Sequence, residues 1–266
     1  MRILASALLA LAIGGASAAR ADSVMPSFAG APTGWTVDRQ APVSFSDVGT
    51  FQGMPHVLGI SIGTNATSDP FYNTQGESHP VSGGAGSSLI ANLYIPSSWS
   101  SNSSAPVRTD MWGVLNATNP GDSNLTYPII GFTNYGSVSG NGNNGTAGNS
   151  YTGFRVYDET TGLWVNLSTV PVQYDAWNKL EIDFNGTSFD YSVNDAPVYS
   201  DGTTETATDF TSVIMQGYDF NGIAGVTATP YEADWANAPE PASLLVLGVG
   251  LAGLGIVRRR KSMAPR

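Results

Sequence analysis

Between Lys179 and Phe184 the chain alternates strictly: Leu180, Ile182 and Phe184 are apolar, while Glu181 and Asp183 are charged. A period of two puts the apolar side chains on one face of a strand and the carboxylates on the other, with one face core and one wet. Asn185-Gly186 follows as a turn. Phe189-Asp190-Tyr191-Ser192-Val193 then alternates as regularly, which predicts a hairpin with Asn194-Asp195 as its next turn. Similar short runs at 57–62, 88–95, 108–115, 127–133, 153–158, 163–167 and 212–217 predict further strands. No helical period is sustained outside the two ends of the chain. Many short strands punctuated by Gly, Asn, Ser, Pro and Thr predict an all-β unit, a two-sheet antiparallel β-sandwich. The Gly- and Asn-rich run 139–149 and the Ser-, Asn- and Pro-rich run 96–106 read as loops, and residues 228–238 as a linker.

The two ends follow a different pattern. Arg2, the apolar run 3–13 and the small residues Ala16-Ser17-Ala18 or Ala19-Arg20-Ala21 predict a secretory signal peptide over residues 1–21, removed by signal peptidase. At the other end, Pro239-Glu240-Pro241 precedes the apolar stretch 242–257 and then Arg258, Arg259, Arg260 and Lys261. Sixteen apolar residues are near the short limit of a single-span transmembrane helix, and the cations after them favour the cytoplasmic side. These residues resemble the PEP-CTERM sorting signal. The resemblance implies recognition by an exosortase-type sorting enzyme and a transient stay in the inner membrane. It further implies export across the inner membrane of a Gram-negative bacterium to the cell surface or extracellular matrix. An ordinary anchor that is never cut is the plainer alternative. The chain thus divides into a signal peptide (1–21), an exported domain (22–238) and a sorting signal (239–266).

Setting the ends aside changes the charge picture. Residues 22–238 hold four basic side chains (Arg39, Arg108, Arg155 and Lys179) against 20 acidic ones, a net charge of −16. Such a surface repels phosphate backbones, so nucleic acid is excluded as a partner. Cysteine is absent, which removes thiol nucleophiles, cysteine-based zinc sites and disulfides. His56 and His79 are the two histidines, and their spacing suits neither a metal site nor a catalytic triad.

Tyr174-Asp175-Ala176-Trp177-Asn178, the hairpin after it and Pro197-Val198-Tyr199 resemble the concanavalin A-like (laminin G-like) jelly rolls. Some proteins of that fold are β-glucanases with a Glu-x-Asp-x-x-Glu strand facing the cleft. Here Glu181 and Asp183 are followed by Asn185, which cannot protonate a leaving group. Glu232 and Asp234 form a second alternating carboxylate pair. Trp112 and Trp164 are candidate sugar-stacking rings, although most aromatic rings of a sandwich are core. Jelly rolls of this kind also imply calcium, for which the turns with Asp122 and Asn124 and with Asp219 and Asn221 supply hard oxygen donors. With no complete catalytic set, the expectation is a non-catalytic exported sandwich, directed to extracellular polysaccharide or purely structural. A β-glucan-cleaving enzyme using Glu181 and Asp183 is the alternative.

Overall fold

A computed structural model describes residues 22–64, 73–101, 105–118, 124–136, 151–202, 206–221, 223 and 226–238. The signal peptide, the sorting signal, Asp122 and the run 139–149 lie outside the described residues.

Sixteen strands are described: β1 (Asp22–Ser23), β2 (Thr36–Val37), β3 (Ser44–Asp47), β4 (Leu58–Ile62), β5 (Thr74–Gly83), β6 (Ser87–Ile95), β7 (Arg108–Ala117), β8 (Leu125–Thr126), β9 (Ile129–Gly136), β10 (Tyr151–Asp158), β11 (Leu163–Asn166), β12 (Ala176–Phe184), β13 (Phe189–Val193), β14 (Ala196–Asp201), β15 (Ala207–Tyr218) and β16 (Tyr231–Asn237). They form two sheets. Sheet I runs β14-β13-β12-β6-β16-β4-β3, with β1 beside β6; sheet II runs β11-β10-β9-β7-β15-β5-β2, with β8 beside β7. All pairings between named strands are antiparallel except β1 with β6. The protein is an all-β antiparallel sandwich of two sheets, as its sequence pattern predicts, and is consistent with the jelly roll that the resemblance implies.

The predicted hairpin forms in the expected register. Leu180, Ile182 and Phe184 of β12 lie directly opposite Val193, Tyr191 and Phe189 of β13, and all six are buried in the core between the sheets. Asn185 makes the turn: its Oδ1 accepts from the Thr187 and Ser188 amides at 3.0 Å each, and Gly186 takes the φ of +98° that a side chain would resist. Asn194 and Asp195 follow at φ 51° and 66°, the two left-handed positions of a tight hairpin turn.

The reading of residues 228–238 as a linker is corrected. β16 lies inside sheet I, between β6 and β4. Tyr231, Ala233 and Trp235 point inward while Glu232 and Asp234 point out. Trp235 is fully buried and donates its indole N–H to Thr109 Oγ1 on the opposite sheet at 3.1 Å. Asn237 ties the chain start to this strand, accepting from the Phe28 amide at 2.8 Å and donating to Pro26 O at 2.8 Å.

Candidate functional site

Alternation gives each sheet an outer face turned away from the core. On sheet I, Glu181 and Asp183 share that face as the period of two requires, but Glu181 is not wet. It is 2 % exposed, with Lys179 Nζ 3.3 Å away; Lys179 also pairs with Asp195 at 2.7 Å. Asn185 belongs to the exposed turn, where its amide donates to Ser188 Oγ and Asp190 Oδ2. It therefore adds nothing to the β12 pair.

Two strands away on the same face, Asp234 and Glu232 project from β16. The register that sets Trp235 opposite Leu93 brings Asp234 to the position beside Tyr94, and Tyr94 lies opposite Trp177. Phe51 packs edge-on against both rings, 5.2 Å from Tyr94 and 6.2 Å from Trp177. The Trp177 indole donates to Gln52 O at 3.0 Å, so the 51–54 loop is held over this aromatic corner. Glu232 leans toward the Asp234 row: its Oε1 is 2.8 Å from where a β-carbon on Gly59 would stand, and Gly59 is the residue opposite Asp234. Burial, together with the neighbouring Glu232 carboxylate, pushes the Asp234 carboxyl up to about 6.

The outer face of sheet II carries Trp112, Val114, Ile129, Trp164 and Ile214 as a second apolar cluster, with Tyr127 and Tyr157 against it. Trp112 and Trp164 are therefore buried, yet on the outer face rather than in the core between the sheets. Guanidinium groups cover their rings: Arg39 lies 4.8 Å from the Trp112 ring centroid, and Arg155 and Arg108 lie 3.9 Å and 4.7 Å from that of Trp164. Arg108 pairs with Asp110 at 2.6 Å and Arg39 with Asp38 at 2.8 Å. Tyr231 fixes this region from sheet I, its hydroxyl donating to Arg108 O at 2.5 Å and accepting from the Tyr218 amide at 2.8 Å. Burial, and after it the Arg108 charge, pull the Arg155 guanidinium down to about 9. Along β7 the outward positions are Arg108, Asp110 and Trp112, so this strand contributes one carboxylate, and Asp38 is the other aspartate of the cluster.

Neither histidine sits in these clusters. His56 Nδ1 is 2.9 Å from Asp47 Oδ2, and Asp47 also accepts from the Gly49 and Gly30 amides. The hydrogen bond with His56, foremost, holds the Asp47 carboxyl below its usual range. His79 bonds to Pro80 O at 2.7 Å and packs on Trp35. The two turns expected to offer calcium ligands stand at opposite ends of sheet II. Asn124 caps the end of β7, while Asp219 follows β15 beside the start of β7. Asp219 is turned inward, accepting from Gln75 Nε2 at 3.1 Å and from the Asn221 amide at 2.8 Å; Asn221 donates to Thr64 O at 3.0 Å. Among the described residues no three His, Cys, Asp or Glu side chains gather as a metal site.

The strand β16 ends where a second kind of site begins. The chain carries a PEP-CTERM protein-sorting motif. The match covers residues 237–261, and with it come export in a Gram-negative bacterium, exosortase processing and a transient C-terminal anchor before release to the surface or exterior. Among curated proteins none matches the chain. Among solved structures, a family 16 glycoside hydrolase from a Bacteroides ovatus mixed-linkage glucan locus aligns at 11 % identity and TM-score 0.43, over 77 % of this chain and 92 % of that one. A Bacillus licheniformis β-glucanase aligns at 15 % identity and TM-score 0.40, over 78 % of this chain and 93 % of that one. A sialidase aligns at 10 % identity and TM-score 0.41, over 77 % of this chain, which spans 16 % of the sialidase. At these identities the likeness gives the fold alone. These neighbours are named as glycoside hydrolases, against the expectation of a non-catalytic module, and the glucan-cleaving alternative is taken up as a proposal.

Proposed function

We propose that this exported sandwich cleaves β-linked glucans outside the cell, on the outer face of sheet I. The observation that carries this reading is the Glu232 and Asp234 pair beside the Phe51, Tyr94 and Trp177 corner. Alternate positions on one strand set two Cα atoms roughly 6.6 Å apart. Glycosidases hold their two carboxyl groups about 5 to 9.5 Å apart, and a Cα spacing of this order is compatible with that separation. A carboxyl whose environment raises its pKa is suited to serve as the acid of such a pair. Asp234, pushed up to about 6, is the acid, protonating the leaving oxygen, and the exposed Glu232 is its partner. The aromatic corner offers ring faces and edges against which the apolar side of a sugar packs.

The test is release of reducing ends from mixed-linkage β-glucan by the full chain purified in mild detergent. Asp234→Asn is expected to lower the rate by about 10²-fold or more, the usual contribution of a positioned acid. Glu181→Gln should leave the rate within about threefold, because Glu181 is occupied by Lys179. Loss of activity on Glu181→Gln alone would move the chemistry to β12, and no reducing ends from the parent chain would end the hydrolytic reading.

A further inference from the structure

Three of the four basic residues between positions 22 and 238 converge on the outer face of sheet II, in a segment whose net charge is −16. Nothing about acidity scatters cations this way. Arg39 and Arg108 each have an aspartate partner, whereas Arg155, 5 % exposed, has no acid within ion-pair distance among the described residues. A buried cation without a counter-charge is costly to keep unless something supplies the charge.

The unused hydrogen-bonding groups on this face say what that something is. Among the described residues, Arg155 Nε and Nη2, Trp112 Nε1, Gln216 Nε2 and Asp110 Oδ1 are buried without a hydrogen-bond partner. Arg155, Trp112, Gln216 and Asp110 are all more than nine-tenths buried. Their placement is mutual: Arg155 lies opposite Gly131 on β9, Gly131 lies opposite Asp110 on β7, and Asp110 lies opposite Gln216 on β15. Trp112 is the next outward residue of β7. Glycine at position 131 lets the Asp110 carboxylate lie close over β9 on the side of Arg155, where a β-carbon would run into Asp110 Oδ1.

Nε and Nη2 form the side-on fork of a guanidinium, which matches the two oxygens of a carboxylate. Trp112 and Gln216 add neutral donors, and Asp110 Oδ1 adds an acceptor. A sugar hydroxyl satisfies both kinds at once, accepting from one group and donating to another. With three arginines and two aspartates in the cluster, the site lacks one negative charge. We propose that the outer face of sheet II is a binding site for a hydroxy-carboxylate of the uronic-acid class, with Arg155 holding the carboxylate and Trp112, Gln216 and Asp110 holding hydroxyls. This site lies on the opposite sheet from the proposed hydrolytic pair and does not depend on it.

The experiment titrates the full chain in detergent with glucuronate, galacturonate, glucose and acetate, reading tryptophan fluorescence and the thermal midpoint. A uronate is expected to raise the midpoint and perturb the fluorescence, as a ligand of the folded state does, while glucose leaves both unchanged. Acetate, lacking hydroxyls, should bind at least about tenfold more weakly than the better uronate. Arg155→Met should lose roughly 10- to 100-fold in uronate affinity. Without ligand, the same variant should melt no lower than the parent, because the buried Arg155 cation has no direct ion pair to lose. Asp110→Asn serves as a second variant, expected to weaken uronate binding and to leave acetate unchanged. Uronate silence in the parent, equal response to glucose, or an Arg155→Met chain that is folded and binds uronate unchanged would each overturn the proposal. Glucan cleavage that persists while uronate binding is absent would overturn this site and leave the hydrolytic reading intact.

Discussion

Trp235→Ala asks whether β16 is a structural strand or a tether, because the two answers differ by several kcal/mol. In a tether the change lies away from any packed feature and costs within about 0.5 kcal/mol. In β16 the indole is fully buried between the sheets and spans them through its bond to Thr109 Oγ1. A tryptophan buries roughly 150 to 250 Å². At about 25 cal/mol per Å² of apolar surface this gives about 4 to 6 kcal/mol as an upper bound. Buried Trp or Phe truncated to Ala costs about 3 to 5 kcal/mol. Thr109 keeps a partner, since its hydroxyl donates to Gln216 O at 2.9 Å, so no large orphan-group penalty is added. We expect a loss of about 4 kcal/mol, which for a domain of this size lowers the midpoint by roughly 8 to 16 °C. Urea unfolding followed by tryptophan fluorescence and circular dichroism measures it, with the slope m compared between parent and variant. Trp235→Phe keeps most of the packing and should recover more than half of the loss. A cost under about 1 kcal/mol for Trp235→Ala, with m unchanged, would refute the placement of β16 in the sheet.

Other outcomes follow from the same geometry. Because the fold pushes Asp234 up to about 6 from the ordinary 3.8, its contribution to stability is fully present below the lower value and is lost as pH rises through the upper one. Unfolding measured from pH 4 to 7 should therefore show a component that Asp234→Asn removes, and an unchanged profile in that variant would count against the buried carboxyl. Gly131→Ala should destabilise by about 1 to 3 kcal/mol, since the added carbon meets Thr109 O and the Asp110 carboxylate rather than open space; an unchanged urea midpoint would show that the close approach of β9 and β7 is wrong. Lys179→Met should cost on the order of 2 kcal/mol by removing the ammonium group from buried Glu181, a loss that Asp195→Asn, at an exposed partner, should not reproduce.

The parts of the fold legible from the sequence were those where side chains alternate between strongly apolar and charged types. The β12 and β13 hairpin declared itself because Leu180, Ile182, Phe184, Phe189, Tyr191 and Val193 are all large, and its turns carry Asn-Gly and Asn-Asp. β5 did not, although it is ten residues long. Thr-Gln-Gly-Glu-Ser-His-Pro-Val-Ser-Gly has scarcely an apolar face, and the strand is held by its ladder with β15 more than by burial of large side chains. β16 does alternate, but its inward Ala233 is small and Pro239 follows closely, so it read as a join. The arginine cluster was hidden for another reason. Arg39 and Arg155 are 116 positions apart, and only strand pairing closes that distance. The scarcity of cations was the available signal, and it becomes informative once the sheet order shows three of them on one face.

The last strand of the sandwich has a bearing on the order in which the chain is made. β16 fills the gap between β6 and β4, and the sorting motif begins at Asn237, the final residue of that strand. Sheet I therefore stays split until β16 itself has been synthesised and delivered, however early the other strands are available. Once β16 docks, no slack separates it from the motif. A processing enzyme acting there meets a folded edge within a few residues of its target, so completion of the sheet and access to the cut are competing events in time.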